Sequence, residues 1–106
     1  MHSHQQKELS PTLLSLFFNS LGVLLKAGIP IQNCLSLMLE DSKDDSLKEI
    51  LSKLNTEIKT TFQLHLAMQQ TGLFSEYAIQ MVKIGETSGR LEAVCSSLAD
   101  YYEQKD

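Results

Sequence analysis

Three groups of residues in this 106-residue chain are of types that could do chemistry. His65 lies inside an apolar helical stretch, Phe62-Gln63-Leu64-His65-Leu66-Ala67-Met68. An imidazole there could accept a phosphoryl group or bind a small ligand, because histidine changes protonation near neutral pH. The polar run Glu40-Asp41-Ser42-Lys43-Asp44-Asp45-Ser46 alternates Asp41, Lys43 and Asp45 in the manner of a calcium loop. Gly85-Glu86-Thr87-Ser88-Gly89 gathers an acid, two hydroxyls and two glycines, the composition of an active-site loop or of a tight helix connection.

None of the three finds catalytic company. In a calcium loop the third position carries an oxygen ligand, the sixth is glycine and the twelfth is glutamate; here they are Lys43, Ser46 and Ser52. The run reads instead as a solvated turn whose last acids support the next helix through its dipole. Histidine phosphotransfer domains present an exposed histidine followed by lysine and small residues, whereas Leu66, Ala67, Met68 and Gln69 follow His65. A half-buried or surface histidine without a special role is the plainer reading. No HExxH, P-loop or GxSxG occurs. The expectation is therefore a non-enzyme with no catalytic residues, no cofactor and no metal, with Glu86 the single candidate for a metal ligand.

Cys34 and Cys95 each sit in an apolar helical pattern without CxxC spacing, as buried packing residues of a reducing compartment, although a disulfide between them stays open. The net charge is −4 and the lysines are scattered singly, so no phosphate-binding stripe exists and nucleic acid is not an expected partner. No stretch reaches the roughly 18 consecutive apolar residues of a membrane span. Met1-His2-Ser3-His4-Gln5-Gln6-Lys7 lacks an apolar signal-peptide core and reads as a flexible tail or expression remnant, residues 1–9.

The elements that must position these groups are helices. Apolar residues make up 42% of the chain, β-branched runs are short, and both prolines fall near helix starts. Ser10-Pro11 opens a helix with an apolar stripe of Leu13, Phe17, Leu21, Leu24 and Leu25, ended by Gly28. A second helix is predicted from about Pro30 to Glu40, with Ile31, Cys34, Leu35 and Met38 inward. A third spans 46–59, with Leu47, Ile50, Leu51, Leu54 and Ile58 inward. Thr60-Thr61 is expected to cap a fourth helix that holds Phe62 and Leu66, with Leu64 and Met68 as further candidates, and Ser75 a fifth over 76–85. The sixth covers 90–103. The fold class is all-α, an antiparallel bundle of about six short helices over residues 10–105.

The residues at the helix breaks carry a resemblance. Phe17, Leu21, Leu24-Leu25, Ala27-Gly28-Ile29-Pro30-Ile31 and Leu35 follow the pattern F-x-x-x-L-x-x-L-L-x-A-G-I-P-L-x-x-x-L. Leu73-Phe74 matches L-F of an L-F-P motif, with Ser75 in the proline's place. Met81, Gly85-Glu86, Ser88-Gly89, Leu91, Leu98-Ala99 and Tyr101-Tyr102-Glu103 follow M-x-x-x-G-E-x-S-G-x-L…L-A-x-Y-Y-E. This resembles the cytoplasmic domain of the type II secretion system F family, the inner-membrane platform proteins of type II secretion and type IV pilus machines. Thr60 and His65 depart from the small residues usual in that family's fourth-helix region.

The resemblance implies a scaffold domain at the cytoplasmic face of the bacterial inner membrane. It would couple an assembly ATPase to other inner-membrane secretion or pilus components, as a homo-oligomer, with the membrane reached only through spans outside this segment. It implies an apolar run of about 20 residues in the gene beyond Asp106. The alternative is a histidine phosphotransfer or ligand-binding helical domain centred on His65. Physically, Gly28 and Gly89 would reverse the chain with positive φ and Pro30 would restart the second helix. Glu86 would cap the free amides of the sixth helix, or stand outward to contact a basic partner or a metal at a domain contact.

Overall fold

Ser10 starts the first helix through its hydroxyl, which accepts from the amide of Leu13 at 3.2 Å, while Pro11 takes the first helical position. The computed structural model describes residues 9–105, and within them the order is α1 Pro11–Lys26, α2 Ile31–Asp41, α3 Asp45–Thr61, α4 Leu64–Thr71, α5 Glu76–Ser88 and α6 Leu91–Glu103. No strand occurs among the described residues. The tail expected over 1–9 lies outside them except for Leu9, which packs on the core. Each helix packs on the next, and α6 returns onto α1 in the most extensive pairing of the molecule.

The core is aliphatic at the α3 side and aromatic where α1 meets α6. Leu47, Ile50, Leu51, Leu54 and Ile58 are all buried, as the periodicity of that stretch predicts. Phe17 and Phe18 meet edge to face at 5.0 Å, Phe18 stacks on Tyr102 at 6.1 Å, and Phe74 closes the cluster 5.7 Å from Phe17. The inward face of α1 is rotated from the expected one. Leu14, Phe17, Phe18 and Leu21 are buried, while Leu13, Leu24 and Leu25 sit at the margin. The two adjacent phenylalanines decide this, since both need the interior and widen the buried stripe around them.

Two boundaries differ from the sequence reading. Thr60 and Thr61 do not cap the fourth helix but finish α3, their hydroxyls bonded back to the Glu57 carbonyl at 3.1 and 3.0 Å. Phe62 follows at φ 61° and is 71% exposed instead of inward. At the other break, α5 continues through Glu86 and Thr87 to Ser88, three residues past the expected end. The acid and hydroxyls that look like a loop are thus helical, and only Gly89 leaves the helix.

Candidate functional site

The short helix α4 begins with a problem that its own sequence does not solve. A helix start leaves free amides, and the residue before Leu64 is Gln63, whose side chain makes no capping bond. Leu64 is fully buried, so water is a poor substitute. The missing acceptor comes from α5. One carboxylate oxygen of Glu86 accepts from the Leu64 amide at 2.5 Å; the other accepts from the His65 amide at 3.0 Å and stands 2.7 Å from His65 Nδ1.

This overturns the expected direction of the Glu86 cap. The carboxylate caps α4, 22 residues upstream, and not α6. The cause is the longer α5, which places Glu86 on a helical face turned toward α4. The start of α6 is handled otherwise: Arg90 makes no side-chain cap, Glu92 lies in the first turn, and the Arg90 amide is spent on the Gly85 carbonyl at 2.8 Å. A carboxylate can only accept, so the partner assigns the proton of His65 to Nδ1. The result is a charge-assisted clamp of three contacts on one side chain, joining α4 to α5.

His65 is 8% exposed and its Nδ1 is held by Glu86, which removes the exposed imidazole on which the phosphotransfer alternative depends. Both Glu86 oxygens are engaged, and among the described residues no group of three or more histidine, cysteine or acidic side chains gathers as a metal site. Asp44, one acid of the loop that mimics a calcium site, caps α3 by accepting from the Leu47 amide at 2.9 Å. Cys34 and Cys95 are both buried free thiols. Burial, helped by the nearby Cys34, Glu92 and Glu86, pushes the Cys95 thiol up to about 12, and it stays protonated at neutral pH.

The motif residues form two helix stops of one design. At the end of α1, Ala27 is the cap and Gly28 turns left-handed at φ 90°. The Ile29 amide then reaches back to the Leu24 carbonyl at 3.2 Å before Pro30 starts α2. At the end of α5, Gly89 turns at φ 74° and the Arg90 amide reaches back to Gly85. Both are the six-to-one closure that glycine permits at a helix end. Gly85 has a second duty: a β-carbon there would stand 2.9 Å from Val94 Cγ2 and 3.1 Å from the Leu91 Cα, so α5 and α6 can meet only without a side chain. Ser88 bonds the Gly85 carbonyl at 3.5 Å, and Phe74 is buried against Phe17 and Phe18.

Two glycine-stopped helix pairs, an inward glutamate and a glycine-mediated helix contact are features of a structural unit, and the chain that carries them is similar to known proteins. A family model described as type II secretion system (T2SS), protein F, matches residues 17–106. The chain belongs to this family. This T2SS protein F domain is 33% identical over 89 residues to a type IV pilus assembly protein PilC of Pseudomonas aeruginosa, covering 84% of the chain and 24% of that protein. It is 30% identical over 101 residues to a type II secretion system protein F of Xanthomonas campestris, covering 94% of the chain and 25% of that protein. A type IV pilus assembly protein PilC of Thermus thermophilus is 26% identical over 92 residues, 87% of the chain and 23% of that protein. The chain thus spans about a quarter of the length of these relatives.

Within the T2SS protein F domain, sequence reasoning singled out Glu86 but missed its partner. The signal was available in the absence of Ser, Thr, Asp or Asn directly before Leu64, which leaves the start of α4 without a local side-chain cap.

Proposed function

We propose that this chain is a non-enzymatic scaffold domain of an assembly-platform protein in a bacterial type II secretion or type IV pilus machine. It stands at the cytoplasmic face of the inner membrane and couples an assembly ATPase to inner-membrane components through protein contacts, as part of a homo-oligomer. The observation that carries this reading is the family match over residues 17–106, joined to relatives whose names assign them to type II secretion and pilus assembly. Among the described residues no helix is long and apolar enough to cross a membrane, and in this reading the membrane is reached through spans outside them. The motif residues Ala27, Gly28, Ile29, Pro30, Gly85, Glu86, Ser88, Gly89 and Leu91 act in this reading by holding helix ends, and Glu86 serves α4 before it serves a partner.

The test is genetic and biochemical. Deletion of the gene is expected to abolish secretion of one exported set of proteins or assembly of pili, with the mutant rescued by the full gene. Purified chain is expected to retain the cognate assembly ATPase or another inner-membrane component of the same machine. A deletion strain that secretes and assembles pili normally would overturn the proposal.

A further inference from the structure

The outer face of α1 breaks the amphipathic rule. Asn19 and Ser20 lie three and four positions from both Leu16 and Val23, so the four form one stripe, which ought to be polar if it faced only water. Instead its two ends are apolar and open, Leu16 at 49% and Val23 at 60% exposure. Leu37 of α2, 44% exposed, faces them across a groove of about 1010 Å³ floored by Met38 and Leu47. The stripe from Leu16 to Val23 spans seven helical steps, about 10 Å or two turns. That is the footprint of a two-turn apolar helix face laid between two helices.

The far rim of the same groove breaks a second, independent rule. Glu40 and Asp41 close α2 at its negative dipole end, where acids are unfavourable, and the last turn holds no basic residue. Neither acid has an ion-pair partner among the described residues. The run from Glu40 to Asp45 carries four acids against Lys43 alone. Local rules broken without a compensating contact mark places kept for something else. An apolar floor bordered by uncompensated negative charge selects an occupant that is apolar on one side and basic along its edge.

We propose that the groove between α1 and α2 docks an amphipathic helix with a basic flank, supplied by a partner protein. Its apolar side chains lie between Leu16, Val23 and Leu37, and its lysines or arginines pair with Glu40 and Asp41. A second copy of this chain is the poorer occupant. Its own matching face lines the groove with a single basic residue, Lys43, so a symmetric pairing would bring no basic edge to the acidic rim. The inference concerns a surface and holds whichever machine the domain serves.

The test uses the 106-residue chain and a short fluorescein-labelled helix of leucine and lysine, with its leucine–glutamate counterpart as control. The lysine peptide is expected to bind, to weaken as salt is raised, and to shift the backbone NMR signals of α1 and α2 beside the groove. Glu40→Lys with Asp41→Lys is expected to weaken it about tenfold, as is Leu16→Ser with Val23→Ser. Melting curves of the variants separate lost binding from lost folding, since all four positions are exposed. Equal binding of the glutamate peptide would overturn the proposal. So would shifts centred instead on the exposed Tyr77–Tyr101 pair, or self-association of the chain that Val23→Ser abolishes.

Discussion

Acidic residues stand at two helix junctions of this molecule and meet opposite fates. At the α4–α5 contact, Glu86 turns inward to the positive end of α4, where two amides and an imidazole hold it. At the end of α2, Glu40 and Asp41 stand at the negative end, exposed and without ion-pair partners among the described residues. The residue types are almost the same, and the helix dipole together with burial decides what they do. An acid on the favourable end becomes a fastener of the fold. On the unfavourable end it costs stability and remains free to attract positive charge.

Mutations at the two junctions should therefore move stability in opposite directions. Glu86→Ala leaves the Leu64 and His65 amides and the His65 ring without their acceptor, and a loss of about 3 kcal/mol is expected in chemical denaturation. Glu86→Gln keeps one oxygen as an acceptor but loses the charge, and should cost about half as much. A melt in which both variants match the parent would show that water caps α4 just as well. Gly85→Ala pushes a methyl against Val94 and the α6 backbone, for an expected loss of about 1–3 kcal/mol. If Val94 instead turns away, the loss will be small and the α5–α6 contact is softer than its distances suggest.

Phe62→Gly relieves a left-handed backbone at an exposed position directly ahead of the capped helix, and a gain of about 0.5–1 kcal/mol is expected. Smallest is the effect at the other junction, where Glu40→Lys with Asp41→Lys should raise stability by a few tenths of a kcal/mol, on the order expected for the helix dipole at exposed sites. A clear destabilisation there would mean that the acids already have a structural role, which would erase the contrast between the two junctions.

Much of this molecule was readable from periodicity and helix-end chemistry. The α3 stripe from Leu47 to Ile58 is strictly periodic and fully buried, because no competing apolar residue lies on its other face. Ser10, Pro11, Ser75, Gly28 and Gly89 stop or start helices as their chemistry dictates, since capping and positive φ are local properties. Around Phe17-Phe18 the stripe was misplaced, because two adjacent large side chains outweigh an ideal period. At Thr60-Thr61 two residues able to cap a helix instead extended the preceding one, and the cap came from elsewhere.

The sequence by itself determined the all-α class, the approximate places of six helices, the glycine stops and the family to which the chain belongs. These follow from interactions within one helical turn or from motifs contiguous in the chain. Only the tertiary structure decided that Glu86 serves α4, that His65 is buried beneath it, and that α1 and α2 leave an acid-rimmed apolar groove. Those facts depend on which helix faces turn toward each other. That choice is made by the summed burial of the whole core, which no single segment encodes.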